Sequence, residues 1–251
     1  MNGVSIATVV FFALVIASLG AMFVSPMLPK HHRDDDTNTV VRLLANIFVV
    51  MTSLVFGLMI NSAKNTYENT DNSVHAFATN LILLDRTLRT YGLLGNEARA
   101  RLVVYVKEAI ANPARADDAS HNKPDSAGRD LDALGDALAA IQPSDSYHGA
   151  LLVDARQQYR RLVEQRWAIV EQSEGAIPTP LIAMLVAWLV LIFGSFGYRA
   201  PRNEIVVGSF VVSALLIAGA FYLVLSMDEP FSGLIQISDM PLRRALAEMA
   251  F

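Results

Sequence analysis

The stretch LLANIFVVMTSLVFGLMINSA, residues 43–63, decides the fold of this chain of 251 residues. It is apolar apart from a few small, hydroxyl or amide side chains, and it lies between two cations, Arg42 and Lys64. At about 1.5 Å of rise per residue, a helix of this length crosses the roughly 30 Å hydrocarbon core of a bilayer. No Pro or Gly follows Lys64 at once, so the pattern predicts a membrane span that continues into a helix of soluble character.

One face of this predicted span is polar. Asn46, Ser53, Gly57 and Asn61 follow one another at steps of seven, four and four, which places them on one side of a helix. The stripe either packs against another helix through small and polar residues or lines a water-filled path. For the second interpretation the pore-lining candidates are Asn46, Val49, Val50, Ser53, Gly57, Asn61 and Lys64, with Val49 or Val50 as an apolar constriction and Lys64 at the mouth.

Composition excludes several classes of protein. Hydrophobic residues make up 53% of the chain and come in blocks, which is typical of a membrane protein. The formal net charge of −4 predicts no nucleic-acid partner. The sequence has no cysteine, no pair of histidines at helical spacing, and no Walker, GxGxxG, GxSxG or HExxH motif. We therefore expect no metal site, no cofactor, no catalytic residues and no enzyme activity.

Three further apolar runs predict membrane spans. Residues 4–28 form a run that is too long for a signal peptide and has no positive segment before it, so we expect a retained span. Residues 181–198 and 205–227 form the third and fourth spans, and the short turn between them predicts antiparallel neighbours. Gly194 and Gly197 are expected to allow close packing of the third span.

Residues 64–176, between the second and third spans, have the pattern of a helical bundle. Apolar side chains between Tyr67 and Tyr91 recur at steps of three, four and seven, as in a coiled-coil seam, and Gly92 is expected to end this helix. Asp85 and Arg166 are charges on or beside the two seams of the bundle, which makes them candidates for a pair.

The second seam, which runs from Tyr147 to Ile169, predicts a long helix that Ser144 or Asp145 caps and that ends near Glu174. The two long helices are expected to pack as an antiparallel pair, supported by two shorter helices. The second of these covers about 130–141, after a polar loop over 112–130 that we expect to be mobile.

A distinctive turn follows the fourth span. Asp228, Glu229 and Phe231 are candidates for a pore vestibule or an interfacial turn, because carboxylates at a membrane surface attract cations or cap a turn. The amphipathic remainder of the chain is expected at the membrane interface. The predicted divisions are residues 1–63 with two spans, 64–176 with the extramembrane bundle, 177–227 with two more spans, and 228–251 as the interfacial segment.

Four spans place both termini and the bundle on the same side of a membrane. The short loops on the opposite side carry Lys30, Arg33, Arg42, Arg199 and Arg202. The positive-inside rule therefore favours these loops in the cytoplasm and the bundle outside it.

Three stretches of this chain resemble the bestrophin-like family of bacterial membrane proteins. They are LDRTLRTYG (84–92), IPTPLIAMLVAWLVLIFGSFGYRAPRN (177–203) and MDEPFSGLIQIS (227–238), the last followed by Pro241, Leu242 and Arg243. The resemblance runs from the second span to the C-terminus. It implies an all-α, multi-pass protein of the bacterial inner membrane with distant kinship to bestrophins.

Bestrophins are pentameric anion channels with four spans per subunit and a pore lined by the second span. The resemblance thus implies a homo-oligomer, a pentamer, with small inorganic anions and the lipid bilayer as partners. It also implies a cytosolic bundle, the opposite of what the loop charges favour. The chain departs from bestrophins because residues 48–59 contain no aromatic–aliphatic neck motif and no acidic calcium clasp is visible.

Two functional hypotheses follow. The preferred one is an oligomeric channel, for small anions by resemblance, with the second span lining the pore. The alternative is a membrane-anchored helical interaction or sensor module without conduction, in which the polar stripe is a packing seam and the bundle binds partners. A transporter has less support, because no matched pair of spans is broken by Pro or Gly.

Overall fold

The computed structural model describes residues 3–25, 35–111, 126–173, 175, 177–231 and 233–250. All regular secondary structure in these residues is helical, which confirms the all-α prediction. The helices are α1 (Gly3–Val24), α2 (Asp35–Tyr91), α3 (Asn96–Ala111), α4 (Ser126–Ala140), α5 (Ser146–Ser173), α6 (Thr179–Arg199), α7 (Glu204–Asp228) and α8 (Met240–Met249), with a 3-10 turn at Leu93–Gly95.

Four of these helices, α1, α2, α6 and α7, are long and apolar enough to cross a membrane. They coincide with the four predicted spans, although residues 26–28 of the first prediction lie outside the described residues. Helix α2 is one unbroken helix of 57 residues, as the absence of a break after Lys64 predicted. It ends before Gly92, whose φ of 88° is a conformation that glycine adopts at little cost.

The first of two compact units comprises Met1–Asn65, Ala176–Asp228 and Gly233–Ile235. Helix α1 packs against α6 and α7. The core of this unit contains apolar side chains from all four long helices, including Val10, Leu14, Met59, Leu185, Phe193 and Phe221. The predicted close packing through glycine is confirmed at Gly197, which lies against the backbone of Ser18, whereas Gly194 makes no such contact within the subunit.

The second unit comprises Thr66–Gly175, Glu229–Ser232 and Gln236–Phe251. The predicted seam of α2 is buried in its core from Val74 to Leu88, and Tyr91 is buried as well. Two side-chain hydrogen bonds fix the register with α5: Ser73 Oγ donates to Gln172 Oε1 at 3.1 Å, and Asn80 Nδ2 donates to Gln165 Oε1 at 2.8 Å. Because the partner number falls as the α2 number rises, the two helices are antiparallel, as predicted.

Details of the bundle differ from the sequence-based expectation. Helix α4 begins at Ser126, inside the loop predicted for 112–130, because its first turn has no large apolar residue to reveal the helical period. Residues 112–125 lie outside the described residues. Tyr147, predicted on the α5 seam, is 63% exposed. It lies in the first turn of α5, and the buried side chain nearest to it on that helix is Leu152.

Asp85 does not pair as the sequence suggested. Its carboxylate contacts Arg99 Nε at 2.7 Å and Arg89 Nη2 at 3.0 Å, and the side chain is buried. Asp85 therefore pairs with Arg89, one helical turn further along α2, and with Arg99, at the start of α3, rather than with Arg166.

The C-terminal helix α8 packs against α3. Ala245 and Met249 belong to the core of the second unit, so protein covers the apolar face that we expected at a membrane interface. Arg99 donates a short hydrogen bond to the carbonyl oxygen of Met249, and Arg89 donates to that of Glu248 at 3.4 Å. These cations lie at the end of α8 where the helix dipole favours positive charge. The position of this segment relative to a membrane stays a prediction.

Candidate functional site

The polar face of the second span is turned away from the core of its own unit. All the pore-lining candidates are exposed in the subunit, namely Asn46, Val49, Val50, Ser53, Gly57, Asn61 and Lys64. The buried side chains of the same stretch are Ala45, Thr52, Met59 and Ala63, which follow steps of seven, seven and four. At about 100° per residue the stripe of Asn46, Ser53, Gly57 and Asn61 lies roughly 130° around α2 from these buried residues, on a different side of the helix.

Two aromatic contacts fix this rotation of α2. The ring centroid of Phe56 lies 5.2 Å from that of Phe221 on α7, and the centroid of Phe48 lies 6.4 Å from that of Trp188 on α6. Met59 is also buried in the same core. Because these large side chains pack in the core, α2 cannot rotate its polar face inward without breaking their contacts.

The exposed side of α2 carries the polar stripe together with large apolar side chains such as Leu54 and Leu58. Asn46, Ser53 and Asn61 offer amide and hydroxyl hydrogens, which can replace part of an ion's hydration shell. A Cβ atom at Gly57 would meet nothing within 4 Å, so this glycine serves no close packing within the subunit. Val50, at 69% exposed, is the more prominent of the two candidates for an apolar constriction.

Sequence reasoning missed the residues that orient this face. Thr52 is buried, and its Oγ1 makes no hydrogen bond to any described residue. The seven-residue step from Ala45 to Thr52 and again to Met59 is present in the sequence, but Leu44, Met51 and Leu58 recur at the same step, so it does not single out the buried face.

The three vestibule candidates in the turn after α7 differ in how far they are buried. Asp228 is 4% exposed, and its Oδ2 accepts a hydrogen bond from the backbone N–H of Ile177 at 3.1 Å. Glu229 is exposed, whereas Phe231 is half-buried against the core of the second unit. Asp228 thus acts as an acceptor within the protein, and a vestibule role for these residues stays a prediction.

Gly233 completes the same turn. Its φ is 96°, and a Cβ atom there would lie 2.8 Å from the hydroxyl oxygen of Ser226. Both facts favour glycine at this position, because other residues adopt a positive φ only at a cost.

Ser144, Asp145 and His148 form a polar cluster that matches a hydrolase triad in composition but not in geometry. The Asp145 carboxylate and the Ser144 hydroxyl both approach the same ring nitrogen of His148, at 2.7 Å and 3.4 Å. A relay needs the serine and the carboxylate on different ring nitrogens. Asp145 Oδ1 also accepts the backbone N–H of His148 at 2.8 Å, so the cluster is the N-terminal cap predicted for α5.

Within the described ranges, no three His, Asp or Glu side chains are grouped so that they could hold a metal ion.

Comparison with known proteins gives one match. The family model of the Bestrophin-like domain matches residues 11–242, which includes α2, α6 and α7 whole, most of α1 and most of the bundle. Neither the curated proteins nor the solved structures give a match.

Proposed function

The chain belongs to the bestrophin-like family, and we propose that it forms an oligomeric ion channel for small anions in the bacterial inner membrane, with α2 lining the pore. The family match covers most of α1 and all of the other three helices that are long and apolar enough to span a bilayer. This supports a multi-pass membrane protein as the setting for the proposal.

The exposed polar face of α2 is the observation that carries the proposal. Asn46, Ser53 and Asn61 lie outside the subunit core, on a helix whose apolar side chains are anchored by Phe48 and Phe56. Removing an amide or hydroxyl from water without a partner costs about 1–3 kcal/mol by mutational data. A face with three such groups is therefore better placed against water or another polar surface than against lipid tails.

An oligomer follows from the geometry of a single stripe. One polar stripe cannot enclose a path within one subunit, but several copies arranged around an axis bring their stripes together. In that arrangement each α2 contributes hydrogen-bond donors to a central path, and Val50 narrows it. Detection of a strict monomer in a native-like bilayer would contradict this part of the proposal.

The anion preference in this proposal rests on the resemblance to bestrophins alone. The side chains of Asn46, Ser53 and Asn61 are neutral and contain both donors and acceptors, so they do not by themselves select the sign of the ion. Lys64, at the end of the stripe, adds a positive charge that attracts anions to one mouth.

Ion flux through purified protein in liposomes tests the proposal. Wild type, Asn46→Ala and Ser53→Lys are compared across chloride and potassium gradients, with Ser213→Lys as the matched control. Ser213 is also an exposed serine within a predicted span, but it belongs to α7. We expect anion-selective flux in wild type, altered rate or selectivity in both α2 variants, and wild-type behaviour in Ser213→Lys once each variant is shown to be folded and oligomeric.

A membrane-anchored interaction module is the second candidate. It is favoured by exposed apolar side chains on the bundle, of which Leu93 (88%) and Leu94 (60%) lie side by side in the 3-10 turn. Such side chains are a common feature of protein-binding surfaces. Absence of flux from folded, oligomeric wild-type protein would contradict the channel and leave the interaction module as the better explanation.

A further inference from the structure

We propose that a cavity at the turn between α6 and α7 binds the headgroup of a zwitterionic aminophospholipid, with the phosphate on Arg202 and the ammonium group on Glu204. The cavity has a volume of about 880 Å³ and is lined by the end of α1, the turn itself and the first residues of α7. The inference needs these helices to lie in a bilayer, but it does not depend on ion conduction.

The position of the cavity fits a headgroup. Helix α6 ends at Arg199 and α7 begins at Glu204, and both are long and apolar enough to cross a membrane. Residues 200–203 therefore lie where a chain that has just crossed the hydrocarbon turns back into it. That level of a bilayer is occupied by phosphate and amine groups.

The guanidinium of Arg202 is held in place from one side only. Its Nη2 donates to the carbonyl oxygens of Met22 and Phe23 at 3.3 Å and 3.2 Å, and its Cζ lies 5.5 Å from the centroid of the Phe23 ring. No described residue accepts a hydrogen bond from its Nε or Nη1. An oriented guanidinium with donors to spare is the side chain best suited to a phosphate.

Glu204 supplies the opposite charge in the same cavity. It is exposed, and in the described part of the chain it forms no ion pair with Arg202. Asn203 already caps α7 by accepting the backbone N–H of Val206 at 2.8 Å, so Glu204 is not needed as the cap. Two separate charges of opposite sign complement a headgroup that has both a phosphate and an ammonium group.

Apart from Asn203, the remaining residues that line the cavity are apolar. Phe23 and Ile205 are 60% and 80% exposed there, and Gly208 leaves space beside them. These surfaces suit the glycerol and the first methylene groups of a lipid, whereas a soluble phosphate would leave them in water. An anionic lipid without an amine would place no positive group beside the carboxylate of Glu204. A choline headgroup is positive but has no N–H to donate to that carboxylate.

Lipid binding to the purified full-length protein tests the inference. The unfolding temperature is measured against the concentration of short-chain phosphatidylethanolamine, phosphatidylglycerol, phosphatidylcholine, glycerophosphoethanolamine and inorganic phosphate. We expect the phosphatidylethanolamine to bind most tightly. Glu204→Gln is expected to weaken that binding about tenfold and abolish its advantage over phosphatidylglycerol, as loss of one charge-assisted hydrogen bond would.

Arg202→Gln is expected to weaken the binding of both phosphatidylethanolamine and phosphatidylglycerol about tenfold. Arg243→Gln is the control, because Arg243 is an exposed arginine of α8 whose partner is Asp239. Glu204→Gln leaves the hydrogen bonds to Met22 and Phe23 intact, so the test stands even if Arg202→Gln does not fold. Equal affinity of wild type for the three lipids, or binding of inorganic phosphate as tight as that of lipid, would overturn the inference.

Discussion

Gly197 on α6 lies so close to Ser18 on α1 that a Cβ atom at position 197 would overlap the carbonyl group of Ser18. Ser18 is fully buried, and its hydroxyl donates to the carbonyl oxygens of Leu14 and Val15 at 3.0 Å and 3.1 Å. Its polar group is thus satisfied within α1, and the two backbones can approach without leaving a donor unpaired. Small residues at such crossings are how apolar helices pack closely in membranes.

Gly197→Ala should destabilise the packing of α1 on α6. The added methyl group meets backbone atoms, which cannot rotate away as a side chain can, so we expect a loss of about 1–3 kcal/mol or more. Gly194→Ala is the matched control, because a Cβ atom there meets nothing within 4 Å and alanine favours the helix. The unfolding temperature of the two variants in detergent checks the prediction, and equal values would contradict the close contact at Gly197.

Asp85→Ala should loosen the attachment of α8. Asp85 is 2% exposed and binds both Arg89 and Arg99, which in turn donate to the last carbonyl oxygens of α8. Removal of one partner of a buried pair leaves charge without compensation. Because the two arginine side chains are 42% and 28% exposed, we expect a loss of about 2–4 kcal/mol, less than for a fully buried pair.

Hydrogen exchange of residues 240–249 measures this effect directly, since a loosened α8 exchanges faster. Asp239→Ala is the comparison, because Asp239 pairs with the exposed Arg243 at 2.7 Å one helical turn away. Exposed pairs of this kind contribute little to stability. Similar exchange in the two variants would show that the buried carboxylate is not what holds the helix.

Asp145 should make the bundle sensitive to acid. The hydrogen bond from the backbone N–H of His148, and then that from its side chain, lower the pKa of Asp145 below the usual 3.8. The folded state thus has the lower pKa, so the stabilisation is complete above the unfolded pKa and is lost as the pH falls through the folded one. Asp145→Asn keeps an oxygen that can cap α5 but does not titrate.

We therefore expect the unfolding temperature of wild type to fall more steeply than that of Asp145→Asn when the pH is lowered from about 5 to about 2. Other carboxylates titrate in both proteins, so the difference between the two curves isolates Asp145. Parallel curves would mean that the cap does not depend on the charge of Asp145.

The bundle was predictable because its signal is local. The apolar seam from Val74 to Tyr91 extends over several turns of one helix, and a continuous seam needs a partner of similar length, which the sequence provides in α5. Asp145 was equally readable, since an acidic residue just before a helical period is an N-cap wherever the helix packs. For the same reason the spacing alone placed Asn46, Ser53 and Asn61 on one face of α2, but their exposure in the subunit depends on the contacts of α2 with α6 and α7.

Contacts between distant segments were not predictable. Gly194 and Gly197 look alike in sequence, and only the point at which α1 crosses α6 distinguishes them. An amphipathic helix such as α8 has the same pattern whether it covers a bilayer or a bundle. Arg99, which bonds to Asp85 and to the end of α8, helps to hold α8 on the bundle. It lies 14 residues beyond Asp85 and after the turn at Gly92, so helical periodicity could not predict that the two side chains meet.

A single cysteine on α2 should report whether the polar face meets water. The chain has no cysteine, so Ser53→Cys introduces the only thiol, and a membrane-impermeant thiol reagent reacts with the thiolate, which forms in water rather than in lipid. We expect Ser53→Cys to be modified in liposomes and Ser213→Cys, an exposed position of α7, to stay unmodified. If Ser53→Cys instead resists the reagent but forms a disulfide between copies on oxidation, the stripe is a dry seam between subunits, and the pore must be sought elsewhere.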